Sequence, residues 1–466
     1  MFDEKTPLVH PYIPNSSPVV REEMLDACGL DSVEEIYASI PSHLRFDRTL
    51  DLPAPCSSEL ELRRHVEGIL AKNRTCVENL NFRGAGCAQH YVPAVVDEIT
   101  GRGEFLTAYG GLWYSDHGKM TAYFEYQSFM GELLDMDAVS LTTYDWSTAL
   151  SSAVLMAGRI TGRDQVLVPA CLAVEKRAQL HNFTRSAMTV TSVAYDPATG
   201  GLDLEDLQAK LSDRVAAVYI ENPTYFGVLE TAAEEISARA HEAGALFIVG
   251  ADPISLGLIE PPGAYGADIC CGDVQPLGIY MQYGGGTAGY LASRHETRFL
   301  EEFPCLITSI TRTADGRGLG YGWANWEQTS WVKRETSRDF TGTTTGLWTI
   351  SAAVYLALMG PQGMREVGES ILGNAAYAAR SLGEIPGVES PAFTGPHFKE
   401  FVADLSGTGR TVAQVNAALL ERGIFGGVDL SKEFPELGQA ALFCVTEVHT
   451  KADLDRLAAA VARAVR

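Results

Sequence analysis

Residues Val215–Val249 read VAAVYIENPTYFGVLETAAEEISARAHEAGALFIV. The run Val215–Ile220 is apolar without interruption, which suits a parallel strand buried on both faces. Thr231–Ala243 follows with helical spacing, and Gly244 stands where a helix C-terminal cap is wanted. Leu246–Val249 is the next buried strand. Strand, helix and strand in this order form a βαβ unit, whose right-handed crossover implies a mostly parallel sheet with helices on both sides. Outward from it, Gln165–Val168, the alternating Ala187–Ala194 and Tyr290–Ser293 read as further strands, and Cys270 and Cys271 are adjacent in another, pointing to opposite faces. This is an α/β chain. Residues 1–80 form a helical N-terminal arm, with helices over Ser17–Ala27 and Ser58–Lys72 and an extended linker, Asp51–Cys56, between them. Residues 81–340 form the large domain and 341–466 a smaller C-terminal α/β domain. In the latter, Gly346–Met359 reads as a buried helix, Phe398–Leu405 and Ala441–Thr446 as strands, and Val412–Arg422 as a helix closed by Gly423. Thr450 caps the last helix, with Asp453 as its capping-box partner.

The chain has 466 residues, 46% apolar and 20% charged, which excludes disorder as the dominant state. A net charge of −23 argues against nucleic acid and anionic membrane as partners. No apolar run reaches membrane-spanning length and no signal peptide is visible, so a cytoplasmic location is expected. Nine scattered cysteines without a CxxC pair fit reduced thiols. The segment before Asn81 has too few apolar residues for a core of its own, so the chain is expected to be an obligate oligomer.

Common chemistries fail in turn. Gly284–Gly289 satisfies GxGxxG, yet the residues after it read as a strand where a dinucleotide site needs a helix, so a tight turn or close backbone approach is the better reading. No GxxxxGK[ST], no GxSxG and no HxxxH or HxH occurs, which leaves P-loop, nucleophile-elbow and zinc chemistry without residues. Among the histidines, His90 and His117 lie in polar, Gly-rich surroundings.

The layout of arm, large parallel domain and small C-terminal domain resembles the aspartate-aminotransferase-like, PLP-dependent transferases of fold type I. Their chemistry needs an Asp for the pyridine nitrogen and a Lys for the Schiff base. Asp252 is available on the sheet. No Lys occurs from Leu211 through Val332, and Gln275-Pro276 stand where His-Lys is expected. More closely, YIPN at Tyr12–Asn15, GAGCAQHYVP at Gly84–Pro93, FEYQ at Phe124–Gln127, NPTYFGVLE at Asn222–Glu230, DPISLGLIEPPGAYGADI at Asp252–Ile269 and ELGQAALFCVTE at Glu436–Glu447 resemble subunit 1 of the two-subunit glycine decarboxylase, the P-protein of the glycine cleavage system. The resemblance implies that this chain carries no covalent PLP. The cofactor then sits on a PLP-bearing subunit 2 in an α2β2 assembly. That partner decarboxylates glycine and passes the aminomethyl group to a lipoyl carrier protein. It also implies a vestigial cofactor pocket or interface lined by His90, Tyr109, Tyr144, Asp145, Trp146, Asn222, Asp252 and Gln275, with no catalytic residue and no metal.

Two places depart from that family. Its TPYQ-rich run ending in SQG reads GGLWYSDHG at Gly110–Gly118, and its Tyr-Asp-Gly-Ala-Thr-Ala reads Tyr144-Asp-Trp146-Ser-Thr-Ala149. Trp146 puts a large ring where backbone would approach a phosphate at a helix N-terminus. Two other readings therefore stand beside the first: a diverged paralogue whose PLP-bearing partner acts on another amino acid, and a non-catalytic binding or scaffold protein. For Asp145 and Asp252, simple capping of loops and helices is the competing role.

Overall fold

The computed structural model describes residues 9–46, 48, 50–106, 117–324, 340–341 and 345–466. The chain divides into two compact units, Met1–Asn73 and Arg74–Arg466. In the first, Pro18–Cys28 is a helix that ends on Gly29 in the left-handed conformation, and Glu59–Leu70 is a helix capped by Ser58. None of its described residues is buried.

The second unit is built on seven described strands in the spatial order 138–139, 289–293, 269–273, 246–251, 215–222, 165–169, 189–193. The last five are mutually parallel, and Gly289–Ser293 runs antiparallel to Ile269–Asp273. Alternate residues feed two apolar layers. Val218, Ile220, Phe247, Val249 and Cys270 meet the helix that starts at Gly346. Tyr219, Ile248 and Cys271 meet the helix Trp146–Thr161. The adjacent cysteines thus serve opposite faces, as their alternation requires, and all nine cysteines are free.

The helix predicted for Gly346–Met359 ends its first segment there. Gly360 takes φ +56° and Pro361 opens a second segment running to Gly383. Proline lacks the N–H that would continue the first segment but suits the first turn of the second. A three-stranded antiparallel sheet, Glu400–Asp404, Ala440–Cys444 and Val428–Asp429, forms the C-terminal layer. The helix Lys451–Ala464 begins with the Thr450–Asp453 capping box. The chain entering the second unit is tied to this layer: Leu80–Asn81 pairs with Ile424–Phe425. The Gly284–Gly289 run leads into a strand, and a side chain at Gly289 would meet the Asp145 carbonyl, so close approach is what that glycine provides.

Candidate functional site

Ligands of open α/β sheets bind beyond the carboxyl ends of the strands. Here three neighbouring parallel strands carry acids at their carboxyl ends: Glu221 next to the last residue, Asp252 just past Ala251, and Asp273. Tyr219, Ile248 and Cys271 face the Trp146–Thr161 layer, and residues two or four further along share that face. Glu221, Asp252 and Asp273 accordingly line one cleft, together with Trp146, Lys176, Gln275 and Lys399.

The three buried carboxylates are met by cations from elsewhere in the chain. Lys176, on the helix Val174–Thr184, places its ammonium 2.6 Å from Glu221 Oε1. The same ammonium lies 3.5 Å from the Trp146 ring centroid. Trp146 Nε1 donates to the Tyr219 hydroxyl at 3.1 Å, and that hydroxyl donates to Glu221 Oε1 at 2.9 Å. Tryptophan, tyrosine, glutamate and lysine thereby form a closed ring of contacts. It fits because Gly250 faces it without a side chain: a Cβ there would lie 2.9 Å from the Trp146 ring. Lys399, from the C-terminal layer, is ion-paired with Asp252 Oδ2. Burial opposes the charge on Asp252, but Lys399 and His90 outweigh it and hold the carboxyl below its usual range. Burial also works against the Lys399 ammonium, yet Asp252, with Cys444 and Glu400, keeps it above the usual lysine range. Asp273 has the weaker support. Burial pushes its carboxyl up to about 7, with Lys176 and Lys399 pulling the other way and Asp252 adding to the rise. About 50 Å³ of free space remains in the cleft, room for a few waters.

The residues singled out in the sequence are distributed as follows. Trp146, Asp252 and Gln275 line the cleft. Gln275 pins the loop over it, accepting from Ala88 N at 3.2 Å and donating to Ala88 O at 3.0 Å and Ile279 O at 2.9 Å. His90 is buried beside it, its Nδ1 2.9 Å from Glu447 Oε2. Asn222 is buried away from the cleft, where its Oδ1 accepts from Glu230 N at 3.1 Å. Asp145 caps the helix it precedes, accepting from Thr148 N at 2.7 Å, so the capping role is the one it fills. Tyr144 is half exposed and outside the cleft lining. Tyr109 and the departing run from Gly110 to Asp116 lie outside the described residues.

Sequence reasoning missed Lys176, Lys399, Glu221 and Asp273. The Lys-free stretch does not leave the cleft without amines: two lysines enter from positions 176 and 399, outside it. The acids had a signal, since each closes an apolar strand run with the parity that faces the helix layer. Lys399 had none, because tertiary packing alone brings it there. No group of three or more His, Cys, Asp or Glu suited to a metal occurs among the described residues.

Strand order, crossovers and a strand-end cleft define the class: the fold is that of the PLP-dependent enzymes of fold type I. A sphingosine-1-phosphate lyase from Burkholderia pseudomallei matches it at TM-score 0.65 and 16% identity, covering 91% of this chain and 94% of that one. The chain belongs to the glycine cleavage system P-protein family, whose profile matches residues 10–461. It is similar to the probable glycine dehydrogenase (decarboxylating) subunit 1 of Staphylothermus marinus, 38% identical over 96% of this chain and 97% of the relative. The corresponding protein of Thermococcus onnurineus is 36% identical, with the same coverages. A glycine decarboxylase (P-protein) of the glycine cleavage system, solved in inhibitor-bound form, superposes at TM-score 0.88 with 33% identity, covering 98% of this chain and all of that one.

Proposed function

We propose that this chain is the cofactor-free subunit of a glycine-decarboxylase-type enzyme. A second, PLP-bearing subunit decarboxylates glycine and hands the aminomethyl group to a lipoyl carrier protein, and this chain is not catalytic alone. The observation that carries the reading is that the chain's own side chains fill its strand-end cleft. The residues present do not fit PLP. Asp252, the acid expected at a pyridine nitrogen, is paired with Lys399. The Trp146 ring, from the first residue of its helix, packs against the Lys176 ammonium and Gly250. The free space of about 50 Å³ is well below the roughly 300–1,000 Å³ of pockets that take ligands of this size. Both lysines of the cleft are held in ion pairs as ammoniums, which are not nucleophiles. No step of the reaction is therefore assigned to this cleft.

The first unit supports the partner. Its helices expose Val19, Met24, Leu60, Leu62, Val66 and Ile69, a set of apolar side chains that a second chain would cover. The relatives are named as subunit 1, a name that implies a further subunit. The proposed role is to complete the wall of the partner's active site and keep water from it. No described helix is long and apolar enough to cross a membrane; a cytoplasmic location is part of the proposal.

The test is reconstitution. The chain is purified alone, and together with a candidate PLP-bearing subunit. Glycine-dependent exchange of labelled bicarbonate is then measured with a lipoyl carrier present. Exchange is expected only when both subunits are mixed. Full exchange by either subunit alone would contradict the proposal, and exchange that depends on another amino acid would redirect it to the diverged-paralogue reading.

A further inference from the structure

The pair between Lys399 and Asp252 joins two different layers. Asp252 follows a central strand of the large sheet, whereas Lys399 immediately precedes the C-terminal strand Glu400–Asp404. The Asp252 side chain is buried, 7% exposed, and that of Lys399 is mostly covered, 13% exposed. Lys399 reaches this position with φ +63°, a backbone conformation that a long side chain takes only where its surroundings impose it. The residues on either side carry the junction. Phe398 N donates to Gly227 O at 2.9 Å, and Val445 N donates to Lys399 O at 2.8 Å. Ala85 N donates to Glu400 Oε1 at 2.6 Å. A side chain at Gly227 would strike the Glu400 backbone, so the layers touch here at backbone distance.

The surroundings are those of a cation site. Asp252, Asp273, Glu221 and Glu400 all line the cleft, against two ammoniums, and one of these ammoniums arrives from the other layer. The Lys176 ammonium is already committed to Glu221 and Trp146, which leaves Lys399 as the cation for Asp252.

We propose that the Asp252 end of the cleft is a primary-ammonium site that the chain fills with its own Lys399, a built-in plug that closes the cleft and fixes the C-terminal sheet on the large one. The proposal stands whether or not a partner carries the cofactor, since it concerns only contacts within this chain. With the plug withdrawn, the Pro396–Glu400 segment and the facing 84–88 loop lose their common anchor. Asp252 then accepts a small alkylammonium from solution.

The experiment is hydrogen–deuterium exchange with chemical rescue on the full chain. In Lys399→Ala, the amides of Ala85, Phe398 and Val445 are expected to exchange faster by on the order of 10²-fold, the scale of one broken buried ion pair. The strands Val215–Asn222 and Leu246–Ala251 stay protected. Ethylammonium, added in place of sodium at equal ionic strength, restores protection at the three amides in a saturable way. It does nothing to the native chain or to Lys399→Ala/Asp252→Asn. Should Lys399→Ala not fold, Lys399→Met/Asp252→Asn removes both charges and is expected to fold with the same three amides loosened. Uniform acceleration over the whole sheet, native protection at the three amides in the variants, or equal effects of ethylammonium and sodium would each overturn the proposal. Loss of activity in a reconstituted complex plays no part in this readout, so its outcome is separable from that of the proposed function.

Discussion

Replacing Trp146 with alanine removes the side chain that occupies the most space in the cleft, and the cost can be worked out from its contacts. The ring packs against the apolar layer of Tyr219, Ile248 and Cys271 and is partly buried. Truncating a fully buried aromatic costs about 3–5 kcal/mol, and partial exposure moves the expectation to the lower end. The Lys176 ammonium 3.5 Å from the ring centroid adds a cation–π contribution of about 1–2 kcal/mol. Part of this overlaps the packing loss. The Nε1 donor to Tyr219 is lost as well, but the hydroxyl still donates to Glu221, so no buried group is orphaned and this loss stays near 1 kcal/mol. The expected destabilisation is about 3–4 kcal/mol for Trp146→Ala. For Trp146→Phe, which keeps a ring under Lys176, it is about 1–2 kcal/mol. Pulse proteolysis in urea measures both, follows the folded core and needs no tryptophan signal. Trp146→Ala within 1 kcal/mol of the native chain, or Phe as damaging as Ala, would show that the ring does not hold the cleft together.

Other outcomes follow from the same geometry. Trp146→Gly is expected to bind PLP or phosphate more tightly than the native chain, followed by quenching of the remaining tryptophans; tight saturable binding by the native chain, equal to that of the variant, would mean the helix N-terminus is open. Asp273 has its carboxyl raised from 3.8 to about 7 by burial, so the folded state binds the extra proton. Its favourable contribution is complete below about pH 4 and is lost as pH rises through about 7. Asp273→Asn should therefore gain thermal stability relative to the native chain at pH 8 compared with pH 5, and a gain confined to pH 5 would refute the assignment. Gly250→Ala sets a methyl against Trp146 and Tyr219 and is expected to cost about 1–3 kcal/mol, read as a lowered urea midpoint; an unchanged midpoint would mean that the ring has room to move. Thr450→Ala removes a complete capping box and should cost about 1 kcal/mol, with faster amide exchange in the first turn of the last helix and no change in the large sheet.

Local chemistry made much of the fold legible. Val215–Ile220 and Leu246–Val249 are strands because a parallel strand covered on both faces must be apolar at every position. The Thr450–Asp453 box and the opposite facing of Cys270 and Cys271 are equally local. The segment after Pro361 was not legible as a continuation, because proline and glycine together mark a break; here the break is a kink between two packed helical segments. The site was half legible. Trp146 stood out because it replaces the glycine of the family's Tyr-Asp-Gly-Ala-Thr-Ala at the entry of a helix, and Asp252 because it follows a buried strand. Lys399 was hidden: its backbone conformation and its partner 147 residues away are set by the meeting of two layers, which no window of sequence contains. The same packing turned Asn222 away from the cleft, since consecutive strand residues face opposite sides and Glu221 took the inward place.

The central claim is that the cofactor belongs to the partner and that this cleft is closed by its own side chains. Borohydride reduction of the reconstituted complex in the presence of PLP, followed by peptide mapping of both subunits, tests it most directly. The account predicts one pyridoxyl-lysine per pair of subunits, located on the partner, with Lys176 and Lys399 unmodified. A stoichiometric pyridoxyl group on either of those two lysines would contradict it.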